Sequence, residues 1–360
     1  EYQTAQIAFE FYKNDLWRWP ITSNPNYGTD INNNILLSDN VPFLNILFKV
    51  FSHFISSNFQ FYGSWILLCL FLQCFFSYKI IFHYTKNFKY SYISSTFFIL
   101  LPILLDRIYF HLALIAHWLV LWAFYLSIKD LNKKKFNYKW VLILTISSLT
   151  NFYFFIIVIS IFSYSWIFNL NYQLIDKIKI LCLNYFYCLL ILYLSGFFEI
   201  NVINYSTYGF GFYKSNLLTL FDSTGGISSR NWSNFNLFDF KNIKGEHDGF
   251  GYLGFGGIIL FLILILNLVL NKKKHFYKIF IFAILFFLIS ITHRIHIGNY
   301  NLLTIDLNIY LYGFLSFFRA SGRFICVVYY IICVSSFVLI YKNSKYIIAI
   351  NFLMEIGNVN

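Results

Sequence analysis

Asp106, Arg107, His111 and His117 crowd a carboxylate, a guanidinium and two imidazoles into the stretch LLDRIYFHLALIAHWLVL. In an apolar chain such residues are functional candidates by default, because charge is costly to bury in lipid. The Asp-Arg pair stands in the turn after an apolar run, His111 opens the next helix and His117 follows six residues on. An interfacial ion pair, with a histidine bonded to a neighbouring helix, is the competing reading. A second group is FRASGRF, where Arg319 and Arg323 stand four apart. On a helix this spacing puts both guanidiniums on one face, and Arg forks match phosphate oxygens. Snorkelling to anionic headgroups is the alternative. A third group, Glu246, His247 and Asp248, stands near Gly209, Gly211, Gly249, Gly251, Gly254 and Gly256. Metal binding by the trio competes with a solvated turn, since adjacent side chains rarely point to one centre. The fourth group is the early carboxylates Glu1, Asp15, Asp30 and Asp39. Asp39, in SDNVPFL, is the best placed of these, although helix capping by Ser38 or Asp39 would also explain it. GxxxxGK[ST], HExxH, GxSxG and CxxC signatures are absent.

The elements that must carry these groups are dictated by composition. The 360 residues are 59% hydrophobic and 12% charged, with mean hydropathy +0.62, whereas soluble domains carry roughly 25% charged residues. An ordinary soluble fold is excluded. Aromatics make up 23% and suit lipid-facing and interfacial positions. The net charge of +12 falls in short breaks between apolar runs, which suits orientation signals and not a nucleic-acid groove. All six cysteines lie in apolar runs and read as small buried hydrophobes.

A helix needs about 17 to 25 residues to cross a bilayer. Apolar runs of that kind fall near 63–84, 92–106, 110–128, 179–197, 255–271, 277–292 and 324–341, with a partial one from 345. Lysine clusters at 133–135 and 272–274 mark cytoplasmic loops. An even number of crossings must separate them, so the run 139–170 has to supply two, with Asn151 as the break. The expected fold is therefore an all-α polytopic transmembrane bundle of nine to ten spans, a single membrane domain over 1–360. Its extracytoplasmic segments are 1–60, with interfacial helices including one over 41–55, then 199–254 and 293–322. The chain opens at Glu1 without a methionine, which reads as a fragment lacking an upstream helix.

The segments NDLWRWPITSNPNYG, LLSDNVPFLNILFK, FQFYGSWILLCLFLQ, DRIYFHLALIAHWLVL, GFGFYKSNLLTL, DGFGYLGFG and FRASGRF resemble, in order and spacing, a family of uncharacterised bacterial polytopic proteins related to the GT-C membrane glycosyltransferases. The resemblance covers nearly the whole chain. It implies an inverting transferase of the bacterial cytoplasmic membrane that moves a sugar from a polyprenyl-phosphate donor to a glycan, lipid or protein acceptor on the outer face. An acidic residue of the first external loop, Glu1 or Asp39, would act as base or metal ligand. Arg107, His111, His117, Arg319 and Arg323 would face the donor phosphate, with Mg or Mn as an optional divalent cation. The alternatives are a transporter or flippase for a lipid-linked glycan, and a non-catalytic membrane protein.

Overall fold

The computed structural model describes residues 2–28, 33–56, 59–130, 135–169, 171–199, 209–227, 231–233, 244–271 and 277–342. The chain divides into two compact units, one from 1–73 with 106–205 and the other from 74–105 with 206–360. Helix α3 (Tyr62–Thr85) passes from the first into the second. Glu1, Asp30, Lys133, Lys134, Lys272, Lys273, Lys274 and the partial run from 345 lie outside the described residues.

The first unit begins with α1 (Tyr2–Asn14). Its residues Ala5, Ala8, Phe9 and Tyr12 are buried at the spacing of one helical face. Helix α2 (Pro42–Val50) packs against α1. The lysine that interrupts its apolar sequence is not solvated. Lys49 is buried, with its ammonium 4.1 Å from the Tyr12 ring centre and 4.8 Å from that of Trp17, and it donates to the Leu16 carbonyl at 3.3 Å. Cation–π attraction and one hydrogen bond offset its desolvation.

A four-helix set follows in the same unit: α6 (Trp118–Asp130), α7 (Lys139–Ser148), α8 (Phe152–Ile167) and α9 (Leu174–Leu194). Helix α7 packs against each of the other three. Asp130 closes the α6–α7 connection by accepting from Trp140 Nε1 at 3.0 Å and Asn137 Nδ2 at 3.1 Å. The run 139–170 does split, and it splits at Asn151. Its side chain accepts from the Tyr153 N–H at 3.0 Å and caps α8.

The second unit contains α4 (Phe88–Phe97), most of α5 (Pro102–Ile108), α10 (Gly254–Asn271), α11 (Tyr277–Ile291), α12 (Ile309–Ser316) and α13 (Ile325–Lys342). Helix α13 packs on α10 and α11 and is buried along most of its length. One expectation fails here. The run 92–106 is not one rod but the pair α4 and α5, bent by 51°. Pro102 opens α5, where it lacks the N–H that would continue a helix and biases Leu101 away from helical geometry. A short strand pair accompanies the helices. Strands β1 (Arg294–Ile297) and β2 (Tyr300–Thr304) form an antiparallel hairpin, with Gly298 at φ 56 as the first residue of a two-residue turn.

Among the described residues four helices are long and apolar enough to cross a membrane: Tyr62–Thr85, Ala113–Asp130, Leu174–Leu194 and Ser321–Lys342. The bent pair makes a fifth if it counts as one span, and four shorter apolar helices accompany them. This is a mostly helical chain with the attributes of a membrane protein.

Candidate functional site

The first unit carries a carboxylate–imidazole pair. Asp39 Oδ2 lies 2.9 Å from His111 Nδ1, and both side chains are partly exposed, by 38% and 19%. The capping role that competed for Asp39 is not the one it has. The residue flanking α2 is Val41, which has no capping side chain, and the Phe43 N–H donates instead to the Leu149 carbonyl at 2.7 Å. Asp39 instead adopts φ 49, a left-handed conformation that aspartate tolerates better than most residues.

His111 does not open a helix, as the sequence suggested, but stands in the turn after α5. Its N–H donates to the Arg107 carbonyl at 3.0 Å, and a 3-10 turn (Ala113–Ile115) follows before α6 begins. Asp106 and Arg107 are buried at the end of α5. His117 is buried too, with its ring 5.5 Å from and edge-on to Phe154 of α8. Its surroundings are those of an interhelical histidine. A tertiary fold thus joins Asp39 to His111 across 72 residues of sequence.

The second unit builds a different polar centre. Glu246 lies in a 3-10 turn (Glu246–Gly249). Its Oε1 accepts from Lys214 Nζ and lies 2.8 Å from His296 Nδ1. Its Oε2 accepts from Asn216 Nδ2 at 2.8 Å. The Lys214 side chain is only 1% exposed. Burial pushes its ammonium below the ordinary lysine range, opposed by the charge and hydrogen bond of Glu246. Two residues on, Asp248 accepts from Arg323 through Nε at 3.1 Å and Nη2 at 3.4 Å.

The proposed metal trio therefore diverges. Glu246 serves Lys214 and His296, Asp248 serves Arg323, and His247 lies 5.9 Å from the Tyr213 ring. Among the described residues no group of three or more His, Cys, Asp or Glu side chains stands where it could hold a metal ion.

Arg319 and Arg323 do not share a helix face, because the chain turns at 319–320 and enters a 3-10 helix at Ser321–Phe324. Arg319 is exposed, with its guanidinium 5.1 Å from the Tyr213 ring centre, while Arg323 is committed to Asp248. The turn brings the backbone into close packing. Gly322 is pressed onto backbone, so that a Cβ there would lie 2.6 Å from Gly249 Cα and 2.9 Å from the Lys214 carbonyl carbon. Neither atom can yield without moving the chain. Gly322→Ala is expected to lower stability by about 1–3 kcal/mol, read as a drop in thermal midpoint of the purified protein.

A family model for a domain of unknown function matches residues 2–356. The chain belongs to the DUF6311 family. No curated protein and no solved structure matches it. The match to DUF6311 spans both units, so the two polar centres belong to one family domain.

Several residues of this DUF6311 chain escaped sequence reasoning. Lys214 and Asn216 lie in GFGFYKSN, where only the glycines stood out, and His296 lies in an unremarked strand. A charged residue inside an otherwise apolar motif was the available signal. His293 is another. It is 8% exposed and stacks on Phe210 at 5.1 Å, and its Nδ1 is buried without a partner. Burial lowers its pKa, and the charges of Arg294 and Lys214 lower it further. The folded state therefore resists protonation while the unfolded chain accepts it. Stability should be intact above the ordinary histidine value of about 6.5 and fall as pH drops below it. His293→Phe should flatten this acid limb, which thermal melts across pH 5 to 8, roughly the range in which histidines titrate, would register.

Proposed function

We propose that this chain is a membrane transferase of the GT-C type, moving a sugar from a polyprenyl-phosphate donor to an extracytoplasmic acceptor. The Asp39–His111 pair carries this reading. A carboxylate with an oxygen 2.9 Å from an imidazole, partly exposed and held in a left-handed turn, is equipped to take a proton from a hydroxyl. Asp39 accepts that proton as the acceptor oxygen attacks the anomeric carbon. The bond from carbon to phosphate oxygen breaks, its electron pair leaves with the polyprenyl phosphate, and the anomeric configuration inverts. His111 orients the Asp39 carboxylate. Arg107, buried one turn before His111, adds positive potential where phosphate charge grows. Arg319, exposed in the other unit, is assigned an anionic contact at that unit's own surface. A divalent cation finds no three-ligand cluster among the described residues, so no step runs through one. In this reading the shorter apolar helices are further spans, giving the nine to ten crossings that lysine placement demands.

One observation favours a transporter for a lipid-linked glycan instead. The 51° break between α4 and α5 is followed at once by buried Asp106 and Arg107, and broken helices with ionisable residues are a transporter device. Purified protein in liposomes with radiolabelled polyprenyl-phosphate sugars separates the two. A transferase consumes the donor and labels an acceptor. Movement of intact donor across the bilayer without consumption would replace this reading with the transporter.

A further inference from the structure

The segment from β1 to α12 is apolar where a soluble protein would be polar. Between Arg294 and Arg319 the sole Asp, Glu, Lys or Arg is Asp306. Strand β2 is exposed along its whole length. Alternation puts Leu302 and Leu303 on opposite faces, yet they are 62% and 51% exposed. Helix α12 buries only Ser316, and Ile309, Tyr310 and Phe314 are 78%, 85% and 70% exposed. A two-stranded hairpin with bare apolar side chains, charged only at its base by Arg294, is marginal in water and prone to pair with other chains.

Its polar side, by contrast, is pinned. Asn216 donates to the Gly298 carbonyl at 2.9 Å and accepts from the Gly298 N–H at 3.0 Å. The Leu217 N–H donates to the His296 carbonyl at 3.0 Å, and Glu246 holds the His296 imidazole. The hairpin turn is thus fixed to the 214–217 segment while its apolar side chains are left presented outward.

We infer that this hairpin and α12 form a paddle that inserts into the bilayer interface, with phospholipid as the occupant of its apolar faces. Continuity supports lipid over a protein partner. On α11, which leads directly into the hairpin, Ile281, Ile284, Leu285 and Leu288 are each more than half exposed at the spacing of one helical face. Apolar exposure therefore continues from this helix into the paddle, with Arg294 as the one exposed charge at the junction. Tyr300 and Tyr310, 77% and 85% exposed, are the residue type that settles at the headgroup level. The inference goes beyond the transferase proposal and does not depend on it.

The test places the photoreactive residue benzoylphenylalanine singly at Leu302, Tyr310 and Phe314, and at exposed Lys244 as control, in the full chain reconstituted into phosphatidylcholine–phosphatidylglycerol vesicles. After irradiation, mass spectrometry should find acyl-chain adducts at the three paddle positions and none at Lys244. Adducts to protein, whether another segment of this chain or a second copy, overturn the inference. So does the loss of all adducts to water at the paddle positions. These replacements lie on exposed side chains, two of them aromatic already, and leave the pinned polar side untouched.

Discussion

Asp39→Asn is expected to lower sugar transfer by roughly 10²- to 10⁴-fold, the usual worth of a general base, while leaving the protein folded and membrane-inserted. Asparagine suits the test because it tolerates the left-handed backbone at φ 49 and still hydrogen-bonds His111, so that basicity is the property removed. Asp39→Ala would be less informative, since alanine at that φ carries a backbone penalty of about 1–2 kcal/mol. His111→Gln should have a smaller effect, because the carboxylate remains and only its orientation loosens. The readout is transfer of radiolabelled sugar by reconstituted protein, normalised to folded material. Full activity in the asparagine variant would remove the Asp39–His111 pair from the chemistry.

Glu246→Gln should be the most destabilising substitution of a charged residue in the second unit, at about 3–5 kcal/mol for an abandoned buried partner. Lys214 is left with its side chain 1% exposed and without the carboxylate that opposes its desolvation. Glutamine keeps one acceptor oxygen, so its NH2 faces either Asn216 or the Lys214 and His296 side chains where a carboxylate oxygen had been. The companion double variant, Lys214→Met with Glu246→Leu, removes both charges and should recover much of the loss, because well-packed apolar pairs often replace buried ion pairs at little cost. The pH dependence distinguishes mechanisms. A lysine whose folded pKa is depressed binds fewer protons folded than unfolded, so its penalty is full at low pH and fades as pH rises toward the ordinary value of about 10.4. Glu246→Gln should therefore gain stability on alkaline titration, and the double variant should show no such gain. Thermal midpoints across pH 7 to about 10, approaching the ordinary lysine value, measure both. Wild-type melting by Glu246→Gln would mean that the network does not hold the unit together.

What could be read along the chain was whatever depends on neighbours in sequence. Apolar runs became helices close to where they were expected, as at Tyr62–Thr85 and Gly254–Asn271, because helical hydrogen bonds close within four residues. Asn151 was legible as a break because a capping side chain acts on an N–H two residues ahead. Asp39 and His111 were legible as candidates by type and place.

Their pairing was not legible, nor was the dispersal of Glu246 and Asp248 to different partners, since those contacts cross 30 or more residues of chain. Arg319 and Arg323 were misread for the same reason. Their spacing fits a helix, but the chain turns at 319–320 and packs Gly322 against Gly249, a long-range contact that local propensity does not contain. Composition alone thus determined a helical membrane chain with its polar groups gathered between apolar runs. Tertiary packing decided which carboxylate meets which cation, because burying a charge is tolerable only where the fold brings its partner.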